Sequence, residues 1–405
     1  MVGDLVNISV SGALGNVYLV RKFPVLFRSD LVSKFRVISI ADIYEKNRLK
    51  SRESIDDLFN DIKNRRIKEK EFSETVEASL EELKRALLEG RINYFQLDKD
   101  NPVLPEGFFD GIGERGIVDI SAPNKHHYSL AEQVLKRNIN LLLEKPAVKS
   151  YGETDGLEGI LSNLNLNGNK LIDAEHYSHY GNVRHYINEF ENYVVEYGKV
   201  MGMDLYIRED EDFSSGRNQE TIEIEKSGGG MWLDTGIHIT AFLRNIGARI
   251  NYESISAQGY KSLDEHIQDC KYGETRMDAE LDLLPNDKFS NNCHVKISVG
   301  KSFSNKDKRK CFIVYYERGK IEIDIIKKEL REYEKFSDLY KLRGDPKKFP
   351  EDAFYNVFYY LYESITQNKS PLTSLTKAIE NVRDVFRIYD KASPIMRLDY
   401  SIIGV

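Results

Sequence analysis

Cysteine is scarce in this chain, with only Cys270, Cys293 and Cys311 present. The odd number and the lack of any C-x-x-C pair exclude a disulfide framework and a zinc site, and imply reduced thiols in a cytoplasmic protein with no bound metal. Long apolar runs are missing too. No stretch reaches the roughly 18 residues that a membrane span needs, and residues 1–20 lack the basic lead and apolar core of an export leader. Basic charge is not in excess: 58 Lys and Arg stand against 65 Asp and Glu, a formal charge of -7 with a pI near 5.8. A basic face for nucleic acid is therefore not expected. There is no repeat at fixed period and no low-complexity tract. What is present is an ordinary globular composition, 41% hydrophobic and 30% charged, long enough for two or three domains and suited to small-molecule work.

The first 150 residues alternate strand and helix signals. Residues 6–10 read as a strand that runs into Gly12-Ala13-Leu14-Gly15-Asn16 and a helix through Val20. A glycine turn between strand and helix lets backbone N–H groups and the helix dipole face a pyrophosphate, although Val10 stands where the first glycine of G-x-G-x-x-G would fall. The next strand, residues 35–41, ends in Asp42, either a loop opener or the carboxylate that accepts ribose hydroxyls and repels a 2′-phosphate, favouring NAD over NADP. Residues 45–95 turn to charged, helically spaced sequence and read as an insertion whose role the sequence does not disclose. Strands at 116–121 and 138–143 then end in Pro123-Asn124-Lys125-His126-His127 and Glu144-Lys145-Pro146. The pattern predicts a doubly wound, Rossmann-type parallel sheet over residues 1–150. Ligands of such sheets gather at the carboxyl ends of the strands, where Gly12, Asp42, Pro123 and Lys145 fall.

Beyond residue 150 the character changes. A strand near 170–177 leads into a helix at 182–197. Strands are predicted at 199–208, 220–226, 253–260, 275–283, 292–300, 311–317 and 319–326, and two helices at 354–367 and 374–392. Long strands with few helices between them predict an open, largely antiparallel sheet, so residues 151–405 form a second α/β domain whose closing helices, 354–393, pack back. Within it, Gly228-Gly229-Gly230 runs into Met231-Trp232-Leu233-Asp234-Thr235-Gly236-Ile237-His238. In a helix, the spacing of Asp234 and His238 puts both on one face of an otherwise apolar element. Such a pair is either a hydrogen-bonded core feature or a working acid and imidazole, and Gly236 marks close approach of another backbone or a ligand.

Four pieces together resemble the Gfo/Idh/MocA oxidoreductases, a family of NAD(P)-dependent sugar and cyclitol dehydrogenases: the Gly12–Gly15 turn, the segment 123–127, Glu144-Lys145-Pro146, and the stretch 228–238. The resemblance implies a Rossmann domain followed by an α/β domain whose open sheet makes homodimer or homotetramer contacts. It also implies that Lys145, Asp234 and His238 surround the reacting carbinol of a small polyhydroxylated substrate, with the nicotinamide near Pro123, Asn124 and His127. A second resemblance is to glucose-6-phosphate dehydrogenases, carried by Gly12–Asn16, by Arg21-Lys22-Phe23-Pro24, and by Glu175-His176-Tyr177 in place of their phosphate-binding Asp-His-Tyr. It fails later, where their Gly-Lys-Glu and Asn-His pair are absent. A third reading is a non-catalytic dinucleotide-binding regulator, against which the joint presence of Lys145, Asp234 and His238 argues.

The chemistry of these residues suits oxidation of a secondary alcohol. His238 titrates near operating pH and is the expected base, and Asp234 orients it, stabilises the imidazolium or holds a neighbouring hydroxyl. Lys145 is expected to stabilise the developing alkoxide. Glu144 joins Gly12, Ala13, Leu14, Gly15, Asn16 and Asp42 as a cofactor contact, and His176 and Tyr177 are substrate contacts from the second domain.

Overall fold

The short apolar strands of the first half assemble into one parallel sheet. In chain order they are β1 (Val6–Ser11), β2 (Phe35–Asp42), β3 (Asn93–Gln96), β4 (Ile117–Ile120), β5 (Asn140–Leu143) and β6 (Leu171–Asp173), lying side by side as β3-β2-β1-β4-β5-β6. Every pairing is parallel. The computed structural model describes residues 5–13, 17–26, 29–43, 56–57, 59–60, 63–64, 74–164, 171–210, 219, 222–262, 264–303 and 307–398. Leu141, Leu142 and Leu143 of β5 have no exposed surface, as a strand covered on both faces requires. Val10 is wholly buried in the same core as Ile8, Leu83 and Phe358, so packing accounts for the valine in place of a turn glycine.

Of the charged excursion at 45–95, the helix Glu74–Leu88 and β3 are the main described parts. The helix buries Leu80, Leu83 and Ala86 and turns its charged residues outward. The strand β3 extends the sheet beyond β2 and was not foreseen from its half-exposed Asn-Tyr-Phe-Gln sequence.

The second sheet contains β7 (Val200–Asp210), β8 (Ile250–Ser262), β9 (Arg276–Leu283), β10 (Phe289–Phe303), β11 (Arg309–Tyr316), β12 (Gly319–Asp324), β13 (Glu329–Phe336), β14 (Leu339–Leu342), β15 (Lys347–Lys348) and β16 (Ala392–Leu398). Their order is β14-β13-β12-β11-β7-β10-β9-β8-β16, with β15 beside β13. Only β7–β10 and β8–β16 are parallel among these pairs, so the sheet is mixed and largely antiparallel. Side chains alternate as the pleat demands: Met203, Leu205 and Ile207 are buried, while Asp204, Tyr206 and Arg208 lie on the other face. Helix Gly181–Tyr197 covers the buried face, with the Tyr186 hydroxyl 2.7 Å from that of Tyr316 and the Tyr186 ring stacked on Phe242. Gly198, at φ 87°, ends the helix.

Two units result. One holds 1–148, 155–174 and 354–376, the other 149–154, 175–353 and 377–405. The strand expected near 170–177, beyond the boundary at 150, pairs with β5 and completes the first sheet. Of the two closing helices, Ala353–Thr366 places Val357, Phe358 and Leu361 in the core of the first unit. Helix Leu375–Asp390 instead joins the second unit, where Asp384 pairs with Arg244 and accepts the Tyr252 hydroxyl at 2.5 Å. The strand expected at 220–226 does not form in the described part. Ile224–Ser227 is a single helical turn, closed by Gly228 at φ 87° and by the Ser227 hydroxyl donating to the Glu223 carbonyl at 2.9 Å.

Candidate active site

In the first unit the strand order reverses between β1 and β4, the switch point at which open α/β sheets bind ligands. Gly12 leaves β1 there with φ +79°, and a Cβ on it would lie 2.6 Å from the Ala122 nitrogen and 2.7 Å from the Ser121 oxygen. Only glycine fits this position. Ala13 is buried behind it, and Leu14, Gly15 and Asn16 lie outside the described residues. Asp42 ends β2, is 6% exposed, and accepts the Ile43 N–H at 2.7 Å. Pro123 precedes a short 3-10 turn at Asn124–His126, beside the same edge.

His127 follows as the first residue of helix His127–Leu135. Its Nδ1 and Nε2 lie 2.8 Å from the carbonyl oxygens of Pro146 and Ala122. Burial outweighs the pull of those two carbonyls and holds the ring below its ordinary pKa. Both ring nitrogens thus face backbone, and His127 ties the loop after β4 to the loop after β5. Glu144 is 5% exposed and lies 2.8 Å from the Lys22 ammonium, which also donates to Asp119 at 2.8 Å and to Ser121 at 3.0 Å. Lys22 has no exposed surface, so its charge persists through these partners, which raise its pKa against the opposing effect of burial. Glu144 is therefore anchored inward. Lys145, next in sequence, is half-buried directly after β5.

In the second unit the Asp234–His238 stretch is helical, but it opens as a wide π-type turn, Trp232–Gly236, before the α-helix Ile237–Asn245. Gly236 is required by its own neighbour in that turn: a Cβ would lie 2.5 Å from the Trp232 indole. The triple glycine likewise meets residues of its own unit. A Cβ at Gly228 would lie 2.3 Å from the Lys149 carbonyl, at Gly229 3.0 Å from the Tyr389 hydroxyl, and at Gly230 2.2 Å from a Glu274 carboxyl oxygen.

His238 is 3% exposed, and the carboxylate of Glu175 is a partner of its ring. Glu175 Oε1 accepts from His238 Nδ1 and, at 3.0 Å, from the Tyr177 N–H; Oε2 accepts the Ser178 N–H at 2.9 Å. Glu175 itself has no exposed surface. A carboxylate acceptor fixes the hydrogen on Nδ1 and leaves Nε2 as the basic nitrogen. The Tyr177 ring stacks on the imidazole at 3.9 Å, and His176 meets it edge-on at 5.0 Å. Around them lie four charges. Glu209 pairs with Lys310 and feels Lys301, which outweigh its burial and lower its pKa, while Asp234 raises it. Burial, with Glu209, Glu175 and Asp234 nearby, raises the Tyr177 hydroxyl well above its ordinary range, so it stays protonated as a donor.

In the sequence Glu175 stands out only as the first residue of Glu-His-Tyr. Its role with His238, 63 residues away, leaves no mark in any local spacing. Burial pushes the Cys293 and Cys311 thiols up to about 12, so both are inert at neutral pH.

No family description and no curated protein matches the chain by sequence. Solved structures resemble it over nearly its full length. Levoglucosan dehydrogenase in complex with NADH and levoglucosan aligns with a TM-score of 0.68 at 12% identity, covering 96% of this chain and 97% of that one. Aldose-aldose oxidoreductase from Caulobacter crescentus gives 0.65 at 14%, covering 96% and 97%. A 3-ketoreductase from Actinomadura kijaniata, in complex with NADP and TDP-benzene, gives 0.66 at 11%, covering 98% and 100%. At such identities the likeness is one of fold, shared with structural neighbours that are Gfo/Idh/MocA-type NAD(P) oxidoreductases.

Proposed function

We propose that the chain is an oxidoreductase that moves a hydride between a secondary alcohol of a sugar, sugar phosphate or cyclitol and NAD, with NADP as the alternative cofactor. The observation that carries this reading is the buried Glu175–His238 pair, in which the carboxylate holds Nδ1 of the imidazole. Glu175 orients the ring and stabilises the imidazolium as His238 takes the hydroxyl proton. Asp234, one turn earlier, holds a neighbouring substrate hydroxyl, as do His176 and Tyr177. Lys145 stabilises the alkoxide. A bound nicotinamide supplies the hydride acceptor, which no side chain can. Gly12, Ala13, Leu14, Gly15 and Asn16 form its pyrophosphate turn, Asp42 takes the ribose and disfavours a 2′-phosphate, and Pro123 and Asn124 border the nicotinamide. His127 and Glu144 serve by fixing the loops that carry those contacts. The same reading includes a cytoplasmic homodimer or homotetramer built on the second sheet. No helix among the described residues is long and apolar enough to cross a membrane.

The test is to incubate purified protein with NAD or NADP and a panel of sugars, inositols and sugar phosphates, glucose 6-phosphate included, while following reduced-cofactor absorbance. Reduction with a neutral polyol supports the main reading, and reduction with glucose 6-phosphate alone supports the second resemblance. Cofactor binding with no turnover on any member would favour a regulator. In an active preparation, His238→Ala should lose at least about 100-fold in turnover while NAD affinity is retained. Unchanged turnover would remove His238 as the base.

A further inference from the structure

A helix start leaves its first four N–H groups without partners in the helix. In the run that carries Asp234 and His238, the four N–H groups of residues 230–233 all end on two residues. Gly230 and Leu233 donate to the Tyr389 hydroxyl at 3.1 and 3.3 Å. Met231 donates to the Glu274 carbonyl and Trp232 to Glu274 Oε1, at 2.9 and 2.8 Å. The Tyr389 hydroxyl closes the set by donating to the same Oε1 at 2.6 Å. Gly230 is glycine because the other oxygen of Glu274 occupies the space of its Cβ.

The Glu274 carboxyl is 2% exposed, and burial pushes its pKa up to about 7 against the hydrogen bonds that pull it down. Tyr389 is the titratable side chain that meets it from helix Leu375–Asp390. The 230–233 segment presents only N–H groups, and β8 presents Gly259, whose Cβ position lies 3.5 Å from the Glu274 side chain. Among the described residues no charged side chain bears on it.

We infer that Glu274 and Tyr389 are positioning residues: they clamp the 230–233 segment, and proton uptake by Glu274 loosens the clamp and moves Asp234 and His238 out of register. As an anion, Glu274 makes charge-assisted hydrogen bonds at a helix N-terminus, the setting that favours negative charge. As a neutral acid it accepts more weakly: the Trp232 N–H loses part of its hold directly, and those of Gly230 and Leu233 through the Tyr389 hydroxyl, while Met231 stays on the backbone carbonyl.

The chain contains one tryptophan, Trp232, and it sits in the clamp. Its indole N–H donates to the Val385 carbonyl at 3.0 Å, and its backbone N–H is one of the four. Its emission therefore reads Glu274 without any assay of activity. In the wild-type protein the emission should titrate with a midpoint near 7. Glu274→Gln, which keeps an acceptor oxygen and cannot ionise, should abolish that transition, and Tyr389→Phe should shift it. A flat wild-type emission across neutrality, or the same transition retained in Glu274→Gln, overturns the inference. A second arm rests on the oxidoreductase reading. Tyr389→Phe should lower kcat about tenfold with KM nearly unchanged, since small misplacements of catalytic groups have costs of this order or larger. Glu274→Gln should also remove one ionisation from the kcat profile across neutral pH, leaving the limb that belongs to the base His238. An emission transition without turnover on any substrate would leave the clamp standing and defeat only the oxidoreductase reading.

Discussion

Glu175 accepts from two backbone N–H groups and from His238, so its two oxygens are fixed before any substrate arrives. An amide at this position keeps the shape but presents an NH2 group that can face Nδ1 and impose the wrong tautomer. Glu175→Gln should therefore lower kcat steeply, by about 10⁴-fold if it behaves as the corresponding change in a serine-protease triad does. NAD affinity should stay within a factor of about two, because the turn proposed for the cofactor, at Gly12, belongs to the first unit. Steady-state kinetics with a parallel NAD titration would decide it, and a loss below about threefold would reduce Glu175 to packing. The sequence led to Asp234 for this role because spacing along one helix is what a sequence displays. Glu175 comes from the turn that precedes helix Gly181–Tyr197, and only the tertiary fold brings it to His238. Gly236 carries a similar lesson. A glycine inside a helix does mark close approach, but the neighbour here is the Trp232 ring of the same turn.

The elements of the first sheet were legible where burial covers both faces, as in β1, β4 and β5, because a continuous apolar run follows from that burial. Elements at sheet margins were not. In β13 only Leu330 is buried, and in β14 Leu339 is 76% exposed, so no alternation betrays them. The turn after β1 was legible through glycine alone, and Gly12 now has a physical reason that can be tested. A Cβ there meets backbone atoms of Ser121 and Ala122, which cannot swing aside as a flexible side chain could, and the φ of +79° is costly for any other residue. Gly12→Ala should push the ends of β1 and β4 apart and weaken NAD binding at least tenfold, an expectation of about 1.4 kcal/mol or more. Calorimetric titration of NAD into the variant measures this directly. Unchanged affinity would place the dinucleotide away from the β1–β4 switch point.

For the molecule as a whole, two buried groups of the second unit give stability opposite slopes with pH. Burial, with Arg184 close by, pushes His179 down to about 3 from an ordinary 6.5. Between those values the unfolded chain binds a proton that the native chain does not, so stability grows as pH rises through that window. Glu274 is pushed up to about 7 from an ordinary 4.5. Between those values the native chain holds the proton that the unfolded chain has lost, and stability falls as pH rises. Each full slope is about 1.4 kcal/mol per pH unit. Of these two, only His179 contributes from about 3 to 4.5, the two oppose each other up to 6.5, and only Glu274 contributes from there to about 7. Glu274→Gln removes only the falling contribution. The variant should gain stability over the wild type by about 1.4 kcal/mol per pH unit as pH rises from 4.5 toward 7, and the difference should level off above that range. Urea unfolding followed at Trp232, in the same unit as both groups, measures the difference at each pH. Parallel curves for variant and wild type would mean that native Glu274 ionises where the unfolded residue does. The clamp would then carry no proton at neutral pH, and its anionic form would be permanent.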